Sequence, residues 1–182
     1  MVLNNIGDTL MIRFMSTALS VLCLGLLTFS VHASMITLQE EHLIAEYNEQ
    51  HHCLALNLYH EARGDSALGQ KAVGWVTLNR VHDNRYPNTV CDVVYQSHYD
   101  SNGNPIRNKC QFSWWCDGKD DTPKDELMWQ KVSVIAHNIM DNYGIKEDFT
   151  DGAIMYHASY VNPYWSDSYE RTVRIDTHIF YK

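Results

Sequence analysis

The stretch LALNLYHEARGDSALGQKAVGWVTLNRV, residues 54–81, decides the fold. Leu54, Leu58 and Ala62 recur every four residues, with Ala55 and Tyr59 beside them, which makes one apolar face of a helix. Gly64 ends that helix, as glycine does where a helix C-terminus turns away. Asp65 or Ser66 can cap a second helix, in which Leu68, Ala72, Val73, Val76 and Val81 again face one way. Two amphipathic helices therefore meet at RGDS, residues 63–66. Glu61 departs from this pattern. It stands near the C-terminal end of its helix, where the negative end of the helix dipole disfavours a carboxylate and raises its pKa. A carboxyl group tuned upward, beside aromatic residues at the rim of a cleft, is what protonation of a glycosidic oxygen requires. The plainer role for the same residue is a surface ion pair with Arg63 or Lys71.

Working outward, SMITLQEEHLIAEYNEQ (34–50) carries Ile36, Leu43, Ile44 and Tyr47 among many acids and reads as a lead-in helix or loosely attached segment. The boundaries expected are a lead-in at 34–52 and one folded domain at 53–182. Downstream, NRYPNTV (84–90) breaks the second helix, and YDSNGNPIRNK (99–109) has the Asn-Gly and Asn-Pro signals of an exposed turn. CQFSWWCDG (110–118) reads as extended or loop. TPKDELMWQKVSVIAHNIM (122–140) restores the helical period through Met128, Val132, Ile135, Ala136 and Ile139, with Thr122 and Pro123 at its start. GAIMYH (152–157) is short and β-prone, NPYW (162–165) turns, and RTVRIDTHIFYK (171–182) alternates Val173, Ile175, Thr177, Ile179 and Tyr181 as one half-buried strand. The expected fold class is α+β, helix-rich with a small antiparallel β-sheet.

At the N-terminus, Arg13 precedes the apolar run STALSVLCLGLLTFSV, which ends at VHAS. Residues 1–33 read as a secretory signal peptide cut after Ala33, with an uncleaved signal anchor as the rival because the run approaches the roughly 17–20 residues that span a bilayer. Removing this segment takes away one acid, Asp8, and one base, Arg13, so the net charge of −8 is unchanged. An acidic exported protein is a poor candidate for nucleic-acid binding, whereas a neutral glycan is compatible with it. The 5 Trp and 11 Tyr exceed what a core alone needs and suit a groove for sugars. Export places the chain in the periplasm or cell wall, with the membrane touched only through an uncleaved leader; a monomer is expected.

Cys23 leaves with the leader, and Cys53, Cys91, Cys110 and Cys116 remain. An even count in an exported protein reads as two disulfides with three possible connectivities. Cys110–Cys116, which brackets QFSWW and would hold that loop still, and Cys53–Cys91 are the expected pair. A zinc site is the alternative, but no C-x-x-C spacing is present. HEARG likewise lacks the second histidine of the zinc-hydrolase helix, since position 64 is Gly. His60 with His157 or His178 is the remaining metal option; no metal and no cofactor are expected.

Within QFSW, Gln111 and Ser113 suit hydrogen bonds to N-acetyl or hydroxyl groups, while Phe112 and Trp114 alternate to the opposite face. In YHASYVNPYW (156–165), Tyr156 and Tyr160 are placed to donate hydrogen bonds or stack on a sugar, His157 to orient a substrate group, and Asn162 with Pro163 to fix a turn that aims Trp165. Arg63, Gln70 and Asn79 read as braces behind Glu61. No convincing second acid accompanies Glu61: Asp65 is nearest, and a helix cap is its simpler role.

YHEARGDSALGQKAVGWVTLNRV, YPNTVCDVVYQ, CQFSW and YHASYVNPYW, in this order and spacing, resemble the SleB-type cell wall hydrolase family, that of the spore cortex-lytic enzymes, and more closely its shorter proteobacterial and phage members. The resemblance covers roughly residues 53–181. It implies a lysozyme-like fold and cleavage of peptidoglycan glycan strands between N-acetylmuramic acid and N-acetylglucosamine. The glutamate of the family's Y-x-E-A-R-G block, its catalytic acid, corresponds to Glu61. The germination enzymes act as lytic transglycosylases, leaving 1,6-anhydromuramic ends. This chain lacks their N-terminal peptidoglycan-binding repeat, so spore-cortex specificity is not expected. A transglycosylase needs one carboxyl group only, because the muramoyl C6 hydroxyl is a tethered nucleophile whose effective molarity replaces an activated water. The competing readings are a zinc-dependent amidase that cuts between muramic acid and the stem peptide, and a noncatalytic peptidoglycan-binding module.

Overall fold

The structure is a computed structural model and describes residues 35–182. The expected leader, with Cys23, lies outside these residues. Among the described residues no helix is long and apolar enough to cross a membrane. The chain divides into two compact units, Met1–Glu46 and Tyr47–Lys182. In the first, residues 35–46 are helical, with Met35, Ile36, Leu38, Leu43 and Ile44 exposed. All the elements below belong to the second.

Helix α1 covers residues 47–62. The four-residue period holds: Leu54, Ala55, Leu58, Tyr59 and Ala62 are all buried. Leu54 and Leu58 are fully enclosed, and each contributes about 1.5–3 kcal/mol relative to an exposed position. After the turn at 63–66, α2 (Ala67–Val81) is capped by Ser66, whose Oγ accepts from Gly69 N at 3.2 Å. Asp65, the other candidate cap, is used elsewhere. Ala72, Val73 and Val76 are buried as the period requires, whereas Leu68 is exposed. A Cβ at Gly74 would collide with Ile139 Cδ1 and touch Leu58, so glycine permits the close crossing of α2 with α1 and α4 (Glu126–Asn142).

Helix α3 (Val90–Val94) is capped by Thr89, whose Oγ1 accepts from Asp92 N at 3.1 Å. A two-stranded antiparallel hairpin, β1 (Ser97–Tyr99) with β2 (Pro105–Cys110), follows. QFSWWC does not continue as a strand. Ser113–Cys116 is a 3₁₀ turn, η1. The expected alternation nevertheless survives as burial, with Phe112 and Trp114 inside and Gln111 and Ser113 outside. Helix α4 starts at Glu126, capped by Asp125, and not at Thr122 and Pro123. The reason is Tyr59: its hydroxyl accepts from Lys124 N and Asp125 N, both at 3.0 Å, holding the preceding segment out of the helix.

The last third is a three-stranded antiparallel sheet in the order β3-β5-β4, from β3 (Met155–Ala158), β4 (Arg171–Ile175) and β5 (His178–Tyr181). RTVRIDTHIFYK is thus a hairpin and not one strand. Asp176, at φ 48°, turns the chain, a conformation Asp tolerates better than most residues. One face of α2 joins α1, α3, α4, Phe112 and Trp114 in the main core. Its other face, through Ala72 and Val76, packs on Ile175 and Phe180 of the sheet with Ala153. Disulfides Cys53–Cys91 and Cys110–Cys116 form as expected, tying α1 to α3 and closing the QFSWW loop.

Candidate active site

Three elements converge on the C-terminal end of α1. Glu61 stands there half-buried, seven residues on from Leu54 and so on the same helical face. Strand β3 supplies Tyr156, whose hydroxyl donates to Glu61 Oε2 at 2.9 Å. The Tyr156 ring is held by Phe180, its register partner on β5, at 5.7 Å and by the edge of His178 at 5.2 Å. The third contribution is Arg80 of α2, only 3% exposed. Arg80 Nε donates to the Ile154 carbonyl at 2.7 Å. Its guanidinium lies 5.3 Å from the centres of both the Tyr86 and Phe112 rings. Gln111, with its amide turned so that the oxygen faces inward, accepts from both Arg80 Nη atoms at 3.1 and 3.2 Å.

These surroundings set the proton affinities. Burial pushes the Glu61 carboxyl above its ordinary value, against the Tyr156 hydrogen bond and the electrostatic influence of His178, Arg80 and His60, which pull it down. The net direction is upward, as the position of Glu61 on its helix suggested. Burial, then the Glu61 carboxylate, drives the Tyr156 phenol well above its ordinary value, so it is a hydrogen-bond donor. Burial lowers the pKa of Arg80. No carboxylate forms an ion pair with Arg80 among the described residues; Tyr156, Tyr86 and Glu61 act against the effect of burial.

Asp65, the nearest acid in sequence to Glu61, faces the last hairpin. One oxygen lies 2.9 Å from His178 Nδ1 and the other accepts from Thr177 Oγ1 at 3.0 Å, with the Asp65 and His178 side chains 6% and 12% exposed. It fastens the α1–α2 turn to the β4–β5 hairpin. Ser66 adds to the same junction by donating from N and Oγ to Asp176 Oδ2 at 2.9 and 2.6 Å. Arg63 lies over the Tyr59 ring, and Gln70 Nε2 donates to the Ala62 carbonyl, bracing the end of α1. Asn79 braces a different place: it donates to Asp148 and to the Ala153 carbonyl just before β3.

The residues singled out from the sequence separate into two groups. Glu61, Tyr156, Gln111 and Phe112 come together around Arg80, with Phe112 inside as its ring support and Ser113 exposed at the start of η1. His157, adjacent to Tyr156, points to the other face of β3, as strand alternation demands. There its Nδ1 donates to the Ala158 carbonyl and its Nε2 meets the Tyr181 hydroxyl, both at 2.9 Å. Trp165 packs on that same face against His157 and Tyr181, both at 5.5 Å, and Asn162 receives the Ser166 hydroxyl. Tyr160 is fully out in solvent.

The histidines are dispersed. His60 stacks on Trp114 at 4.6 Å and its Nε2 donates to the Asp121 carbonyl, far from a shared ligand set with His157 or His178. Among the described residues no three His, Cys, Asp or Glu side chains gather to hold a metal ion. Sequence reasoning missed Arg80 and Asn57, and considered His178 only as a metal option. Asn57 is fully buried one turn before Glu61, donating to Thr77 and accepting from Trp114 Nε1 at 3.0 Å. The available signal for Arg80 was its place in the apolar stripe of α2, four residues after Val76 and seven after Val73.

The fold has solved relatives. The catalytic domain of the germination-specific lytic transglycosylase SleB from Bacillus anthracis is 28% identical, with a TM-score of 0.54 over 73% of this chain and 93% of that one. The catalytic domain of the Bacillus cereus SleB protein is 27% identical, with a TM-score of 0.52 over 74% and 91% of the two chains. No curated protein matches the sequence. The family model described as Cell Wall Hydrolase matches residues 64–181, beginning just past Glu61. That match takes in α2, the cysteine-closed loop and the whole three-stranded sheet, the elements that deliver Arg80, Gln111 and Tyr156 to the end of α1, and the chain belongs to the cell wall hydrolase family.

Proposed function

We propose that the protein is a lytic transglycosylase that cleaves peptidoglycan glycan strands between N-acetylmuramic acid and N-acetylglucosamine, with Glu61 acting first as acid and then as base. The protonated carboxyl donates to the glycosidic oxygen as the C1–O bond breaks. The resulting carboxylate takes the proton from the muramoyl C6 hydroxyl, whose oxygen attacks C1 and closes the 1,6-anhydro ring. Glu61 ends the cycle protonated, and no water is consumed. The observation that carries this reading is a burial-raised carboxyl held by Tyr156 while the neighbouring acid, Asp65, is committed to His178 and Thr177. Tyr156 and the Arg80 charge favour the carboxylate as it forms, which is where charge develops in the first half of the reaction. Gln111, Ser113, Tyr160 and Asn162 are exposed and are assigned to sugar contacts. That the Bacillus anthracis relative is a lytic transglycosylase supports the same choice.

Two disulfides persist in oxidising compartments, so the protein is assigned to the periplasm or cell wall. Digestion of purified peptidoglycan followed by mass spectrometry tests the chemistry. Anhydro-muropeptides are expected. Reducing ends in their place would make the enzyme a muramidase, free stem peptides would make it an amidase, and unchanged peptidoglycan would leave only a binding module.

A further inference from the structure

Next to the catalytic groups lies a groove of about 500 Å³ lined by Gln96, Ser97, His98, Lys109, Cys110 and Gln111. Gln111 joins the two places, since its amide also accepts from Arg80. Three features mark the groove as built to receive something. Gln96 Oε1 is buried there with no hydrogen-bond partner among the described residues, an acceptor awaiting a donor. Lys109 and His98 face it, and neither forms an ion pair among the described residues, in a chain whose net charge is −8. The hairpin's one acid, Asp100, is occupied by the Asn102 and Asn104 backbone N–H groups. Finally, β2 bulges between its two pairings with β1, with Asn108 at φ 61°, and bulges re-aim the side chains beside them; here the next residue is Lys109. The Cys110–Cys116 bridge fixes the floor.

We propose that this groove is a subsite for the stem peptide carried by the muramoyl residue, with a peptide carboxylate on the Lys109 ammonium and a peptide N–H on Gln96 Oε1. The ligand must offer both an N–H donor and an anion close to the scissile bond. A peptide branching from the muramoyl lactyl group offers both along an extended chain, whereas a muramoyl unit without peptide carries its one carboxylate on the lactyl group itself. The proposal rests on the reading that the chain cleaves glycan strands, and it makes the enzyme select for peptide-substituted strands.

The test separates binding from turnover. Calorimetric titration of Glu61→Gln with a soluble disaccharide-peptide and with the same disaccharide whose lactyl carboxyl is capped as a neutral methyl amide gives a ratio of affinities. That ratio is expected to be at least about tenfold in favour of the peptide form, as one charge-assisted contact provides. Adding Lys109→Glu should bring the ratio to about one, and adding Gln96→Ala should cut it several-fold. The same charge change at exposed Lys131 on α4 should leave the ratio alone, which removes overall charge as the cause. Equal affinities for the two ligands in Glu61→Gln, or a ratio that survives Lys109→Glu, would overturn the proposal. A peptide-free muramoyl unit with its free lactyl carboxylate forms a third arm: if it binds as tightly as the peptide form, the anion recognised is the lactate and the proposal fails. Product analysis of the wild-type enzyme decides the glycan-cleavage reading separately.

Discussion

Replacing Tyr156 by Phe removes one hydroxyl and leaves the ring against Phe180 and His178. The lost hydrogen bond, 2.9 Å to Glu61 Oε2, is to a group that must be an acid in one step and a carboxylate in the next. Hydrogen bonds to charged groups contribute about 1.5–3 kcal/mol. Glu61 is half-buried and water can take up part of the vacated position, so the lower end applies. At about 1.4 kcal/mol per factor of ten, kcat/KM should fall roughly ten- to thirtyfold. The pH profile should move as well. The hydroxyl stabilises the carboxylate, so its loss favours the protonated acid, and the alkaline limb of kcat/KM shifts to higher pH. Stability should drop by no more than about 1.5 kcal/mol, because the ring packing is kept. Initial rates of muropeptide release across pH, with thermal unfolding in parallel, supply all three readings. A loss of less than about threefold with an unmoved alkaline limb would refute the pairing as a functional one.

Glu61→Gln should abolish turnover while leaving glycan binding intact, measured by product release and by pull-down on insoluble peptidoglycan. The same change should stabilise the fold at neutral pH. Because the folded-state pKa of Glu61 is raised, the native state keeps a proton that the unfolded chain has lost, and native stability falls as pH climbs from the ordinary carboxylate range through the folded value. The melting-temperature advantage of Glu61→Gln should therefore grow through that window and vanish below it; a constant difference at all pH would contradict the assignment. Gly74→Ala gains about 1 kcal/mol of helix propensity but drives a Cβ into Ile139, costing about 1–3 kcal/mol. The net is a lower melting temperature, and an increase would show that α2 has room to move. Disulfide loss should be graded by loop length: about 4 kcal/mol for Cys53–Cys91, which spans 38 residues, and about 2 kcal/mol for Cys110–Cys116, which spans 6, by denaturant unfolding of the paired serine variants.

The paired helices were legible because burial imposes a period: once Leu54, Leu58 and Ala62 must face one core, everything between Cys53 and Gly64 is constrained. Glu61 stood out for the same reason, as the wrong chemistry on the right face. The alternation read in RTVRIDTHIFYK held only in part, because Thr177 is exposed in the turn and Phe180, expected on the opposite face, is fully buried. The turn at Asp176 reverses the parity: Ile175 pairs with His178 and shares the core with Phe180, so the face that is buried switches from odd to even positions inside the stretch. Local pattern also cannot separate Tyr156 from His157. They are neighbours of similar chemistry, and only the sheet reveals that one reaches Glu61 and the other Tyr181. Arg80 was hidden by position, since an arginine in the last turn of a helix is ordinarily a surface residue answering the helix dipole. Its partners come from Tyr86, Phe112, Gln111 and Ile154, which no window of sequence contains together.

The placement of Arg80 has a physical consequence for how one carboxyl can serve twice. An isolated buried cation costs several kcal/mol, and here one carbonyl, one amide oxygen and two ring faces offset part of that cost without supplying a negative charge. Burial meanwhile disfavours the ionised form of Glu61, beside a cation that forms no ion pair with a carboxylate among the described residues. Donation of the proton creates an anion within reach of both the Arg80 charge and the Tyr156 hydroxyl. The environment that makes Glu61 a proton donor is thus complementary to what Glu61 becomes when it donates, an interaction strengthened in the transition state and weak in the ground state. A second carboxylate in the same place would neutralise Arg80 at rest and remove that difference. On the proposed mechanism the placement of Asp65, 2.9 Å from His178 and accepting from Thr177, would bear on the chemistry as well as on the fold, since it sets the nearest competing carboxylate against the β4–β5 hairpin and not against Arg80.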